Sequence, residues 1–329
     1  MRWPFSPRPS GATACAMQFT VVGAGVLGQV YGVRLAAAGE KVSFLVRPER
    51  ARDTTPFVLE QVNAPHRHDV LERPERFSRI PATSAAVFIA VRFDQLAAGS
   101  PLLAVLKEAP QVPLIMLTPL LPRARAVLEQ AIGRRITPAM PGAAGYLDER
   151  SVVRYWQTSI APTLIENDAR GKDGPAIEDL LHRLAKAGLP AHRERDVGAT
   201  NAATTTAFFP LIAAIDAGGG IDGVLADREL LDTVLAAAHE SDALGQKLGK
   251  VASWAHLLTR FVGPYTLKPA VKLARGLVPE ALRFAESHFG PKLHAQHLAM
   301  GEAILELARE LGHEVPALVK LMDGVRARA

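Results

Sequence analysis

The chain has 329 residues, of which 48% are hydrophobic and 22% charged, and its formal net charge is +5. This length exceeds the usual size of a single hydrophobic core, and the composition is that of a folded chain rather than a disordered or fibrous one. The positive charge is spread along the sequence without basic runs interleaved with aromatic residues, which argues against nucleic-acid binding. We therefore expect two domains and a small anionic ligand as the partner.

The number of cysteines and the length of the apolar stretches indicate where in the cell the protein is expected. Cys15 is the only cysteine, so neither a disulfide framework nor a thiolate metal cluster is available, and a reducing, cytoplasmic setting is expected. Residues 1–16 lack the apolar region of a secretory signal and are predicted to be a loose N-terminal extension. The longest uncharged stretch, 199–215, contains four threonines, an asparagine and a proline, so no membrane span is predicted.

The first half of the chain alternates short apolar runs with helical patterns, which is typical of a parallel sheet covered by helices. A helix is predicted at 26–38, where Gly39 suits a left-handed helix end, and another at 176–187. Strands are predicted at residues 18–22, 41–47, 85–92, 112–118, 152–158 and 163–166. The sequence therefore predicts an α/β, Rossmann-type doubly wound sheet in a domain of residues 17–196.

The second half changes character at about Gly198, where the strand pattern fades and long segments rich in alanine and leucine follow. Glycines at 218–220 and Gly-Pro pairs at 263–264 and 290–291 separate these segments. The last clear helix is predicted at 292–311. Residues 197–329 are therefore predicted to be an all-helical second domain that carries the substrate site and a surface for a possible homodimer.

A G-x-G-x-x-G motif follows the first predicted strand and opens the first predicted helix; its glycines are Gly23, Gly25 and Gly28. The first glycine permits a tight turn, the second lets the backbone approach a pyrophosphate, and the third allows helix and strand to pack closely. Free N–H groups at the helix start then face the phosphates. This context predicts dinucleotide binding, with a glycine-rich turn that holds no ligand as the alternative.

The end of the second predicted strand distinguishes between nicotinamide cofactors. An acid there would bond the ribose hydroxyls of NAD, whereas this chain has Arg47, with Arg50 and Arg52 close behind. A guanidinium group can pair bidentately with a 2′-phosphate, so NADP(H) is predicted, and a solvated surface arginine is the alternative. The predicted cofactor-binding residues are Gly23, Ala24, Gly25, Val26, Leu27, Gly28, Arg47, Arg92 and Thr118.

Several features together indicate a family. They are the glycine motif, Arg47, the strand end Ala90-Val91-Arg92 and the helical second half, in which 209–214 and 312–316 look like an Asn-Pro-Leu-Thr-Ala segment and a late Gly-x-x-Val-Pro. In these features the chain resembles the ketopantoate reductase (2-dehydropantoate 2-reductase) family. The resemblance implies a Rossmann domain, a helical domain and a cleft between them, in which NADPH delivers hydride to a 2-oxo acid.

The chain departs from the family pattern at positions that the resemblance marks as functional. The family places a catalytic lysine on the helix that leads into the Asn-Pro segment, and that position is Asn201. The family's next asparagine falls on Thr205, and its late acid falls near Gln296. No lysine lies between positions 186 and 247. The sequence therefore indicates a divergent member that lacks the family's lysine.

A ketone reductase needs a donor for the developing alkoxide and a source of a proton. Asn201 can donate a hydrogen bond but cannot release a proton. His288 and Lys292, beside Gly290-Pro291, are candidate replacements, and a solvated helix start is the alternative interpretation. The catalytic residues stay open; the pocket candidates are Asn201, Thr205, His288, Lys292 and Gln296.

A pair of histidines on the last predicted helix has one feature of a metal site. His294 and His297 are three residues apart on one predicted helix face, as metal ligands can be. No acid or cysteine lies near them at ligand spacing, so no metal site is predicted.

The leading interpretation is an NADPH-dependent oxidoreductase of the ketopantoate reductase type that acts on a small 2-oxo acid or related carbonyl. Ketopantoate itself is not the expected substrate, because the lysine and acid that would grip and protonate it are absent. The alternative is a catalytically silent protein that binds or senses NADP(H), which needs the glycine loop but no proton donor. The fold alone does not decide between them.

Overall fold

The computed structural model describes residues 16–157, 161–167, 174–253, 255–257, 263–277 and 279–328. The predicted N-terminal extension, apart from Ala16, lies outside these residues. The strands are β1 Gln18–Val22, β2 Lys41–Leu45, β3 Phe57–Gln61, β4 Arg67–Leu71, β5 Glu75–Phe77, β6 Ser84–Ile89, β7 Leu114–Met116, β8 Thr137–Met140, β9 Ala143–Leu147, β10 Val153–Gln157, β11 Thr163–Glu166 and β12 Ala191–Glu194.

The helices fall into two groups, those that cover the larger sheet and those that form the second half of the chain. They are α1 Val26–Ala37, α2 Pro101–Lys107, α3 Pro122–Ile132, α4 Gly174–Lys186, α5 Val197–Gly218, α6 Ile221–Ala226, α7 Arg228–Leu248, α8 Pro264–Leu277, α9 Pro279–Phe289, α10 His294–Glu310 and α11 Pro316–Arg326.

The larger sheet has eight strands in the order β12-β11-β8-β7-β6-β1-β2-β5. From β5 to β8 the neighbours are parallel, β11 runs antiparallel to β8, and β12 is parallel to β11. The central strands β1, β2 and β6 are almost entirely buried, as expected where helices cover both faces of a parallel sheet. The predicted Rossmann-type sheet is confirmed, with an antiparallel extension at one edge.

Two apolar layers hold the helices on the sheet. One layer joins the sheet to α1 and α4, for example through Val30 and Leu184, and the other joins it to α2 and α3 through Leu106 and Leu128. Tyr31 on α1 is fully buried, and its hydroxyl shares a 2.5 Å hydrogen bond with the Thr163 hydroxyl at the start of β11. Burial raises the pKa of Tyr31 to about 12, so its hydroxyl stays protonated as a structural group.

A second, four-stranded sheet has the order β4-β3-β10-β9. The sequence predicted only β10 of these strands. Strand β4 carries Arg67, His68 and Asp69 and is largely exposed, so it lacks the apolar alternation by which a strand is recognised. Residues 57–61 do alternate between buried and half-buried positions, but their sequence, Phe-Val-Leu-Glu-Gln, fits a helix equally well.

Within the part of the chain that the structure describes, residues from 197 onward form helices without strands, as predicted. Helix α5 lies at the centre and packs against α7 and α11 around Phe209, Leu244, Ile304 and Leu318. Gly245 allows α7 to approach α5 closely, because a Cβ there would lie 2.6 Å from the carbonyl oxygen of Ala203. Among the described helices, none is both long and apolar enough to cross a membrane. The domain boundary at residue 196 stays a prediction.

Candidate functional site

The glycine motif forms the turn between β1 and α1. Gly23 has φ of +95°, a conformation that side chains disfavour, and its N–H donates to the carbonyl of Leu45 at 3.2 Å, which joins the turn to the end of β2. A Cβ on Gly28 would lie 1.9 Å from the carbonyl oxygen of Gly23. The shape of this turn therefore depends on glycine at both positions.

Gly25 faces open space, and this is the part of the turn that a ligand can approach. No atom lies within 4 Å of where its Cβ would be. Gly25 is the N-cap of α1, it provides no side-chain cap, and the first turn of the helix has no acidic residue. The first N–H groups of α1 lack intrahelical partners and carry the positive end of the helix dipole. The residues present therefore fit a pyrophosphate group.

Gln29 is a residue of this turn that the sequence reasoning missed. Its Nε2 donates to the carbonyl of Ala24 at 3.0 Å, so it holds the middle of the glycine loop. Its Oε1 is buried and has no hydrogen-bond partner among the described residues. The sequence shows only that a glutamine follows the third glycine, and this position does not indicate a role unless the geometry of the loop is known.

Arg47 lies two residues after the end of β2 and carries an exposed guanidinium group. Its side chain is 76% exposed, and its nearest acid is Glu49, with 3.5 Å between Nε and Oε1. Arg50, by contrast, pairs with Asp53 at 3.2 Å. Hydrogen bonds from Thr55, followed by the one from Arg50, lower the pKa of Asp53 to about 2, so this acid stays ionised.

The other two predicted cofactor residues are engaged within the protein. Arg92 makes a bidentate pair with Asp94, with both N–O distances 3.0 Å. Thr118 is buried, and its hydroxyl donates to the carbonyl of Val91, which links the ends of β7 and β6. A role for either in holding a cofactor stays a prediction.

Asn201, which the sequence predicts to stand at the position of the family's lysine, points into the protein. It is 6% exposed, and its Nδ2 donates to the carbonyl of Ala139 in β8 at 3.0 Å. Thr205, one turn further along α5, is half-buried. The cavity that Asn201 lines with Thr118 and Arg125 has a volume of only about 10 Å³, which is room for one water at most.

Beside Asn201, the guanidinium group of Arg125 is paired with two carboxylates. Glu166 accepts from the N–H of Gly198 at 2.7 Å through Oε2 and from Arg125 Nη2 at 3.1 Å through Oε1. Arg125 Nε also donates to Glu129 Oε1 at 3.2 Å. This guanidinium is therefore held between two carboxylates, and its charge is compensated before any substrate arrives.

The candidates on the late helix lie apart from that corner. Lys292 is exposed and Gln296 is half-buried, and among the described residues no hydrogen bond or ion pair joins either to Asn201. The side chain of His288 lies outside the described residues. The structure thus places Asn201 and Thr205 on one helix but does not bring the other candidates into contact with them.

The two histidines of α10 share an acid that the sequence could not show. The Nδ1 atoms of His294 and His297 lie 2.9 and 3.0 Å from the same Oδ2 of Asp216, at the end of α5. His297 is 1% exposed, and burial lowers its pKa. The described residues hold no group of three or more potential ligands in an arrangement that could bind a metal ion. The cluster therefore joins α5 to α10.

A larger cavity lies between α10 and the segments that follow β6 and β7. Its volume is about 210 Å³. Its walls come from the short helical turn Phe93–Leu96, from α3 and from α10, and its apolar lining includes Phe93, Leu96, Leu120, Leu121, Val127 and Leu307. In Rossmann-type sheets, ligands bind in the crevice outside these strand ends. The cavity thus lies on the side of the sheet where such folds bind ligands, although no residue of the glycine loop is among its lining residues.

Comparison with known proteins bears out the resemblance. Residues 19–112 match the model of the ketopantoate reductase PanE/ApbA family. No curated protein matches the sequence. The chain has the fold of a PanE/ApbA family ketopantoate reductase from Ralstonia eutropha JMP134, with a TM-score of 0.66 at 18% identity, covering 95% of this chain and 98% of that one.

Two other solved structures are similar over the same extent. A D-mandelate dehydrogenase in a ternary structure with NADH and anilino(oxo)acetate gives a TM-score of 0.63 at 14% identity. The dimeric ketopantoate reductase from Staphylococcus aureus gives 0.62 at 12% identity. Each covers 95% of this chain and 98% of its own. The predicted resemblance is therefore confirmed, by the family model for the first part of the chain and by these structures for the fold.

Proposed function

We propose that this chain is an NADPH-dependent oxidoreductase that reduces a small carbonyl compound, a 2-oxo acid or a related carbonyl other than ketopantoate. The observation that carries the proposal is the open face of the glycine loop. Gly25 has free space in front of it at an uncapped helix start, and an exposed arginine follows the neighbouring strand. This combination supports a dinucleotide with a 2′-phosphate.

Each part of the proposed site has a stated task. The N–H groups of Val26, Leu27 and Gly28 would hold the pyrophosphate, and Arg47 would hold the 2′-phosphate. Bound NADPH would supply a hydride, two electrons and a proton, to the carbonyl carbon, while the oxygen takes a second proton to give an alcohol. Asn201 cannot supply that proton.

Cofactor binding is tested by calorimetry with NADPH and NADH. NADPH should bind at least about tenfold more tightly, because one arginine–phosphate pair contributes on the order of 1.5–3 kcal/mol. Arg47→Ala should remove this preference and leave NADH binding unchanged, whereas Arg50→Ala, whose side chain is paired with Asp53, should keep it. Equal affinities in the native protein would contradict the role of Arg47.

Activity is tested by mixing protein, NADPH and a panel of 2-oxo acids and related carbonyls and following nicotinamide absorbance. We expect oxidation of NADPH with at least one of them and little with ketopantoate, since loss of a positioned proton donor removes about 10²–10⁴ of rate. Vigorous reduction of ketopantoate would refute the assignment of Asn201 to the position of the lysine.

One observation favours a second function, that of a silent NADP(H)-binding or sensing protein. The corner beside Asn201 is filled by groups that satisfy one another, with about 10 Å³ of free volume. Tight NADPH binding without turnover of any carbonyl in the panel would support this function over the first.

The same proposal extends to assembly and location. The helical half exposes Tyr265, Leu273 and Leu277 on α8, and this apolar surface supports a homodimer. The single cysteine in the sequence supports a cytoplasmic location. Sedimentation of the purified protein tests the first of these.

A further inference from the structure

The cavity between the strand ends and α10 has an apolar interior. Leu96, Leu120, Leu121 and Leu307 are buried around it, and Phe93 is half-buried. Its volume of about 210 Å³ suits a small molecule rather than a polymer. Because the lining offers few polar partners, a substituent bound here has to be apolar.

Charged side chains stand at the rim of the cavity. Arg123 on α3 pairs through Nη1 with Glu306 and, at 2.7 Å, with Glu310, both on α10. Asp94 also lines the cavity, and its carboxylate is paired with Arg92. The two acids raise the pKa of the Arg123 guanidinium, which is therefore always charged. Three carboxylates thus face two guanidinium groups.

The net charge of these side chains determines which ligand the rim accepts. Arg123 is the one cation among the cavity's lining residues, and two carboxylates already hold it. A carboxylate ligand would have to displace one of them and would face an excess of negative charge. A neutral ligand meets no such cost.

We propose that this cavity receives the apolar substituent of an uncharged carbonyl compound, an aldehyde, ketone or ester, in preference to the anion of a 2-oxo acid. This inference rests on the proposed function for its reaction, and it narrows the substrate class within it. Glu306 and Glu310 are then specificity-determining residues that discriminate against anions.

The test uses a matched pair of ligands, 4-methyl-2-oxopentanoate and its methyl ester, which share the ketone and the apolar group and differ in charge. The kcat/KM with NADPH and, separately, the affinity by calorimetry should each favour the ester about threefold to tenfold. Raising the ionic strength from about 0.01 M to about 0.15 M should increase the affinity for the acid and leave the affinity for the ester unchanged, because salt screens the charges at the rim.

Variants test whether the preference for the ester arises from the charged rim. Glu306→Gln with Glu310→Gln frees Arg123 and should shift the ester-to-acid ratio toward the acid by about threefold to tenfold. Glu302→Gln is the matched control, because Glu302 lies on the same helix, pairs with Arg326 and does not line the cavity. Ala124→Phe, which fills the cavity from α3, should weaken both ligands and leave NADPH binding intact.

The outcomes separate this inference from the proposed function. Ester binding without NADPH oxidation would overturn the proposed function and leave the cavity assignment standing. Equal or tighter binding of the acid, or a ratio that the double variant does not move, would overturn the assignment whatever the turnover. If Ala124→Phe is unfolded by circular dichroism, the ratio in the double glutamine variant decides alone.

Discussion

The glycine loop after β1 and the corner where Asn201 meets β8 arrange their polar groups in opposite ways. At the loop, the first N–H groups of α1 and the guanidinium of Arg47 point outward and have few partners. At the corner, Asn201 donates to the carbonyl of Ala139, and Glu166 accepts both from Arg125 and from the N–H of Gly198. The first region leaves its positive groups free for an anion, whereas the polar groups of the second join α5 and α3 to the sheet.

The largest expected effect tests the open side of this comparison. Gly25→Val should weaken NADPH binding at least about a hundredfold, because its side chain would occupy the space that is free in front of the loop. Thermal stability should change little, since no atom lies within 4 Å of the new Cβ. Calorimetry and a melting curve measure the two effects.

Gly324→Val is the control for that experiment. Gly324 also has no atom within 4 Å of its Cβ position, but it lies on α11, away from the loop. It should keep full NADPH affinity. If Gly25→Val binds NADPH normally, the cofactor lies elsewhere and the contrast between the two regions disappears.

A smaller effect tests the closed side. Asn201→Ala should lower the free energy of unfolding by about 1–3 kcal/mol, because it leaves the carbonyl of Ala139 without its partner in a buried site. Urea denaturation measures this change, with Thr205→Ala on the same helix as control. NADPH affinity should stay within about twofold of the native value. An unchanged stability would mean that Asn201 is free to serve a ligand.

The smallest effect concerns the buried cluster of the helical half. Burial lowers the pKa of His297 in the folded protein, so below its ordinary value of 6.5 the unfolded chain binds a proton that the folded one does not. The free energy of unfolding should therefore fall as the pH drops from 6.5, by up to about 1.4 kcal/mol per pH unit until the folded pKa is reached.

Urea titrations at a series of pH values check this dependence. His297→Gln should flatten the curve, whereas His66→Gln, an exposed side chain on the loop after β3, should not. The groups that face His297 are Asp216 and His294, so both stay in place in the comparison. A curve that His297→Gln leaves unchanged would assign the pH dependence to other groups.

The two regions also differ in how far the sequence could predict them. The glycine loop is local: the three glycines, the strand before them and the helix after them lie within twenty residues, 18–37, and each glycine's role follows from its position. Asp216 lies far along the chain from His294, and Glu166 from Arg125, so no spacing in the sequence brings these pairs together. The second sheet was not predicted for a similar reason: its strands β3 and β10 pair with each other although they lie far apart in the sequence.

Arg123 and Arg125 are two residues apart on α3, which places them about 200° apart around the helix. Arg123 reaches Glu310 on α10, and Arg125 reaches Glu166, whose second oxygen accepts from the start of α5. The first turn of α3 is therefore held directly by α10 on one side and linked to α5 through Glu166 of β11 on the other. The Arg123 pairs are exposed and the Arg125 pairs are mostly shielded, so they differ in strength. We therefore expect the Arg123 pairs to break before the Arg125 pairs if α10 moves relative to α3.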